Sequence, residues 1–135
     1  MAAFMGTQIN NSATIVDKAS AEIADVRCKA VKYDADGGIV LCSTAGEAAI
    51  GIAIITAGDA DGKVLKGGDV DIQVKDIGLA RAGAAIKKGA ELATDANGCV
   101  VEATAGQFVI GTALEAGNEG KFVRLQINKI GYKGA

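Results

Sequence analysis

Two stretches of this 135-residue chain alternate between apolar and polar side chains. In Asp69-Val70-Asp71-Ile72-Gln73-Val74-Lys75, Val70, Ile72 and Val74 fall on one side, and charged or amide groups fall on the other. Phe122-Val123-Arg124-Leu125-Gln126-Ile127 follows the same scheme with Val123, Leu125 and Ile127 inward. A period of two is that of a strand with one face in the core. Shorter strand-like runs cover 31–33, 39–42, 50–54, 99–103 and 109–114. Turn signals separate them: Asp34-Ala35-Asp36-Gly37, Asp59-Ala60-Asp61-Gly62 and Asp95-Ala96-Asn97-Gly98. A helical spacing is visible in only two places. Ile15, Val16, Ala19, Ile23 and Val26 predict a short amphipathic helix over 14–25, and residues 85–92 predict one helical turn closed by Gly89. Residues 78–83 read as a small-residue crossover.

Part of the pattern occurs twice. Ser43-Thr44-Ala45-Gly46-Glu47-Ala48-Ala49-Ile50-Gly51-Ile52-Ala53-Ile54 returns sixty positions later as Ala103-Thr104-Ala105-Gly106-Gln107-Phe108-Val109-Ile110-Gly111-Thr112-Ala113-Leu114. Extended back to Ala24, the same offset gives 10 identities over 31 positions. This implies a duplication, with two similar halves sharing one core. The expected architecture is all-β: a small β-barrel or sandwich with an internal pseudo-twofold repeat. Residues 24–135 are expected to form a single β domain of two repeats, 24–78 and 84–130, preceded by an extended N-terminal arm, 1–23. That arm is too polar to build a core and too apolar to be a mere solvating tail.

Composition narrows the picture. Half the residues are apolar, but only 4% are aromatic, and 19 Gly stand against no Pro. Small β-branched side chains pack in thin layers, which favours sheets over a helical bundle. The net charge of −2 is dispersed, so no basic footprint for nucleic acid is expected. The longest apolar run, 48–55, is far short of the roughly 20 residues that span a bilayer as a helix. No basic segment precedes an apolar one at the start, so a secretory signal is not expected.

Candidate chemistry is sparse. Without His there is no Ser-His pair, and Cys28, Cys42 and Cys99 lack metal-site spacing. The Asp-Ala-Asp-Gly segments resemble calcium loops, but the twelfth positions counted from Asp34 and Asp59 are Ala45 and Val70, which cannot ligate. Gly58 to Val64 is one residue short of a phosphate loop and carries acids inside it. No catalytic, cofactor or metal residue is therefore assigned, and no enzymatic activity is expected. One alternative is a lipoyl-type carrier, because Asp17-Lys18-Ala19 resembles the hairpin on which those domains present a modified lysine, here Lys18.

From Ala84 onward the chain carries Ala-Ile-Lys-Lys-Gly-Ala-Glu-Leu, Thr-Asp-Ala-Asn-Gly, Ala-Thr-Ala-Gly, Val-Ile-Gly-Thr-Ala-Leu-Glu-Ala-Gly and Val-Arg-Leu-Gln-Ile. These motifs resemble the small capsid decoration (cement) proteins of tailed bacteriophages. The resemblance implies a β-rich protein, often a homotrimer, on the outside of an assembled head, where it bridges major capsid protein subunits. It implies no cofactor, no nucleic acid and no membrane partner. Some members of that family carry a recombinase label, so a recombination-associated DNA-binding protein is a further alternative. Beside the resemblance, the arm suggests strand addition to a capsid sheet, with Phe4, Met5, Ile9, Ile15 and Val16 as contact residues.

Overall fold

The structure is a computed structural model that describes residues 14–135. Ten strands and no helix are found among the described residues. In chain order they are β1 (Thr14–Lys18), β2 (Ala30–Tyr33), β3 (Ile39–Leu41), β4 (Gly51–Ala53), β5 (Asp69–Gln73), β6 (Asp76–Arg81), β7 (Glu91–Thr94), β8 (Val100–Glu102), β9 (Phe108–Ala113) and β10 (Phe122–Tyr132). They form two antiparallel five-stranded sheets that pack as a small sandwich. The first has the order β1-β5-β4-β2-β3 and the second β6-β10-β9-β7-β8. Counted within its own five strands, each sheet runs first, fifth, fourth, second, third.

The likeness extends to the loops. The residue after β1, Ala19, bridges in parallel to Ile39 at the start of β3; the residue after β6, Ala82, bridges in parallel to Val100 at the start of β8. Further on, Ile23 bridges to Val64 and Ile86 to Gly117, both antiparallel. The expected alternation in β5 and β10 is present: Val70, Ile72, Val123, Leu125 and Ile127 are buried.

Three local expectations are corrected. Residues 14–25 contain no helix. Their first five form β1, antiparallel to β5 with Thr14 opposite Gln73 and Lys18 opposite Asp69. Ala19, Ile23 and Val26 are buried as the spacing required, but bends and single bridges bring them inward. Apolar positions three and four apart specify which side chains go in, and an irregular segment satisfies them as well as a helix does. Residues 85–92 are a turn followed by β7, with Gly89 at φ +88°. The expected crossover at 78–83 lies mostly within β6, which takes its backbone partners from β10.

Two clusters make the core. One lies within the first half and includes Ile23, Val26, Val31, Ile39, Val70 and Ile72. The other joins Leu92, Ile110, Val123, Leu125 and Ile127 of the second half to Ala30, Cys42, Ala49 and Ile52 of the first. In β4, Gly51, Ile52 and Ala53 are all buried, because that short strand has core on both faces.

Candidate interaction surface

Three of the five expected contact residues, Phe4, Met5 and Ile9, lie outside the described residues. The other two sit side by side on β1, an edge strand of the first sheet. Ile15 pairs with Ile72 and Val16 with Asp71, and 55% of Val16 is exposed. An edge strand offers one row of backbone groups and its outward side chains to a partner. These two residues therefore occupy a place where another chain can reach them.

Lys18 closes the same strand. Its Nζ lies 2.6 Å from Asp69 Oδ1 on the facing strand, and both side chains are well exposed. The neighbouring Asp17 accepts a hydrogen bond from the Tyr33 hydroxyl, which pushes the tyrosine pKa up. Lys18 is thus held along a paired strand. A carrier lysine needs a hairpin tip that projects into a partner's active site, and Asp17-Lys18-Ala19 does not form one.

The three Asp-Gly turns are built alike. In each, Oδ1 of the first Asp accepts two amides of its own turn: Asp36 and Gly38 for Asp34, Asp61 and Lys63 for Asp59, and Asn97 and Cys99 for Asp95. Gly37, Gly62 and Gly98 take the positive φ that completes each reversal. These carboxylates are committed to the backbone. Among the described residues no group of three or more His, Cys, Asp or Glu is placed to hold a metal.

The most concentrated polar cluster has no counterpart in the sequence reading. Asp25 accepts from Arg27 Nε at 2.9 Å and Nη2 at 3.0 Å, and from Arg81 Nη2 at 3.2 Å. Bonding to Arg27, the largest influence, holds the Asp25 carboxyl well below the usual carboxylate range against the opposing cost of burial. The Arg81 guanidinium also lies 5.0 Å from the Phe122 ring centroid. Next to it Cys28 takes φ +59°, fixed by donation to Ala53 O and acceptance from Arg81 N. The cluster ties the loop after β1 to β6. Its one carboxylate is permanently ionised at neutral pH and has no proton to trade. Arg27 and Arg81 are 54 positions apart, so no spacing pattern announces the pair.

Among the described residues nothing else assembles chemistry. Burial pushes the Cys28 and Cys42 thiols up to about 11 and about 12, which leaves both inert at neutral pH. No described helix is long and apolar enough to cross a membrane. What the surface does offer is apolar: Ile55, Leu65, Ile77, Ile130 and Tyr132 are large and exposed. Tyr132 packs edge-on to Phe108, with ring centroids 5.5 Å apart, beside a shallow depression lined by Glu91, Ala105, Ile130 and Lys133. A second groove runs along the seam of the sandwich between β4 and β6.

No protein-family model matches the chain, and a search of curated proteins found no match. Among solved structures, the chain is similar to the N base of the head fiber protein gp8.5 of bacteriophage phi29. The two share 23% sequence identity and superpose with a TM-score of 0.62, over 90% of this chain and 97% of the other. The likeness is one of fold.

Proposed function

We propose that this chain is a structural protein of a bacteriophage head: a decoration (cement) protein on the outer surface of the assembled capsid, without enzymatic activity. The observation that carries this reading is the shared fold with the base of a phage head fiber, matched along nearly the whole of both chains. The decoration-protein motifs between Ala84 and Ile127 point the same way. The committed carboxylates and buried thiols agree with a protein that works by its surface.

In this reading the chain is made in the host cytoplasm and binds major capsid protein subunits, as a homotrimer. Phe4, Met5, Ile9, Ile15 and Val16 make the contact. A ligand that binds only the assembled lattice stabilises it by mass action, and repeated weak contacts give avidity without a large single interface. Edge strand β1 supplies backbone groups for strand addition.

Co-sedimentation tests the proposal. The purified protein should pellet with expanded heads of its phage and remain in the supernatant with free capsid subunits. Equal recovery with both, or with neither, overturns it.

A further inference from the structure

Backbone hydrogen bonds join the first half of the chain to the second. Arg81 N donates to Cys28 O at 2.8 Å, Ala30 N to Gly98 O at 2.7 Å, and Gly46 N to Thr94 O at 2.8 Å. Local bonds identify the matching positions in the two halves. Cys28 N donates to Ala53 O as Gly89 N does to Ala113 O, and Asp34 N donates to Gly38 O as Asp95 N does to Cys99 O. The parallel bridges of Ala19 and Ala82 align Lys18 with Arg81. By the same offsets Ala30 matches Glu91, Gly46 matches Gly106, Tyr33 matches Thr94 and Gly37 matches Gly98. A reciprocal contact would have Gly106 N donate to Tyr33 O, but it donates to Lys133 O. The join is head-to-tail, so each half keeps one face that the other half does not cover.

Exposure agrees. Cys28, Ala30, Gly46, Thr94 and Gly98 are buried, whereas Gly89, Gly106, Tyr33 and Gly37 are exposed and Glu91 is half-buried. A Cβ on Gly46 would lie 2.5 Å from Gln107 and one on Gly98 would lie 3.1 Å from Ala30 O, yet Gly106 and Gly37 have nothing within 4 Å. The charges suit a further join of the same kind. Asp17, Asp34 and Asp36 stand around the open face of the first half, and the exposed Lys87 and Lys88 precede Gly89 on that of the second. Lys18 and Glu91, of the opposite sign on each face, are paired with Asp69 and Lys133.

We propose that a second copy of this chain docks there: the Lys18, Tyr33 and Gly37 face of one copy seats on the Gly89, Glu91 and Gly106 face of the next. The contact repeats between copies the join that the halves make within one chain, and such contacts continue until a ring closes. At Gly106 the docked copy meets the C-terminal segment, where Ile130 and Tyr132 are 58% and 67% exposed beside the depression that Glu91 helps to line. Covering them removes apolar surface from water. The inference deepens the homotrimer of the proposed function but does not rest on head binding, and it is tested without heads.

Sedimentation velocity of the purified full chain is the test. The parent should assemble beyond a monomer. Tyr33→Lys adds a cation opposite Lys87 and Lys88, and Ile130→Asp adds an anion opposite Asp34 and Asp36; each variant alone should be monomeric with a urea midpoint close to the parent's. Mixed together, they retain one good face each and should form a one-to-one dimer and nothing larger. That dimer should need a higher concentration than the parent does, because a single contact lacks ring closure. A parent that stays monomeric at about 1 mM, where a contact worth about 4 kcal/mol would show, overturns the proposal. So does a folded pair of variants that fails to associate on mixing, or a parent assembly that neither substitution disturbs. Should either variant unfold, Asp36→Cys and Ala90→Cys chains in a Cys99→Ser background decide the matter, since they match Asn97 and Lys29 at the internal join. A short bis-thiol reagent should link one to the other and neither to itself; links within one variant would show a face-to-face dimer instead.

Discussion

Arg81 on β6 donates from Nη2 to Oδ2 of Asp25, 56 residues earlier in the chain, and this contact joins the second sheet to the loop that follows β1. Both side chains are about one quarter exposed, and Arg27 adds two more donors to the same carboxylate. The carboxylate is the hub: without it, two guanidinium groups face each other beside Phe122.

Asp25→Asn should therefore destabilise the protein by about 2–3 kcal/mol, the range for a partly buried charged hydrogen bond whose loss strands a charge. Urea unfolding at pH 7 measures this. The pH dependence has a definite sign. The folded pKa lies below the ordinary 3.8, so the contribution is complete above that value and is lost as pH falls through the folded pKa. The gap between the parent and Asp25→Asn should be flat from pH 5 to 8 and should narrow below about pH 4. A gap that widens on acidification would contradict this account.

The equivalent strand position in the first sheet gives a contrast. Lys18 faces Asp69 as Arg81 faces Phe122, but the Lys18 pair stands in solvent. Lys18→Gln should change stability by less than about 1 kcal/mol, and the small change should vanish in high salt. Material from the native host should carry an unmodified Lys18 by intact mass; a lipoyl-sized adduct would revive the carrier reading.

Gly51 and Gly111 occupy matching places on β4 and β9, where a neighbouring backbone leaves no room for a side chain. A Cβ at Gly51 would lie 2.3 Å from Gln73 O, and one at Gly111 would lie 2.4 Å from Gln126 O. Alanine at either position must force β4 from β5, or β9 from β10, at a cost of about 1–3 kcal/mol. Gly134 has nothing within 4 Å, and Gly134→Ala should leave the urea midpoint unchanged.

The Asp-Gly turns should be indifferent to calcium. Asp95→Ala removes the acceptor for two amides and should lower Tm more than Asp36→Ala, whose carboxylate accepts neither amide of its turn. Millimolar calcium or a chelator should move Tm in neither variant nor in the parent. A calcium-dependent rise that disappears in Asp95→Ala would show that the carboxylate serves a metal.

If the head-binding reading holds, Val16→Glu on the exposed edge of β1 should weaken co-sedimentation with heads by about tenfold or more, the loss of a contact worth at least about 1.4 kcal/mol. The unfolding midpoint should stay close to the parent's, because Val16 contributes little to the core. Unchanged head binding would remove β1 from the interface.

The strands read from the pattern were those that bury one full row of side chains. Val70 and Ile72, and Val123, Leu125 and Ile127, announce β5 and β10 because alternation survives wherever one face is dry. The turns were legible for a different reason: an Asp that can accept its own backbone amides, followed by a Gly that tolerates positive φ, makes a reversal that needs no distant partner.

Two of the strands that were missed, β1 and β6, hold the same position in their sheets. Each is an edge strand paired only with the last strand of its own five. Thr14 meets Gln73 and Arg81 meets Phe122, so both strands exist through pairings made more than forty residues away. β6 buries only Ala80, and its Gly78 contributes no side chain, which leaves almost no periodic signal.

By itself the sequence determined that the chain is β-rich, where it reverses, and which side chains enter the core, because those choices rest on local hydrogen bonding and on each residue's preference for or against water. Tertiary structure alone decided the strand order, the Asp25–Arg81 tie and the groove between β4 and β6. Each of these depends on backbone and side chains that meet only after distant segments have packed, and no window of sequence contains both partners.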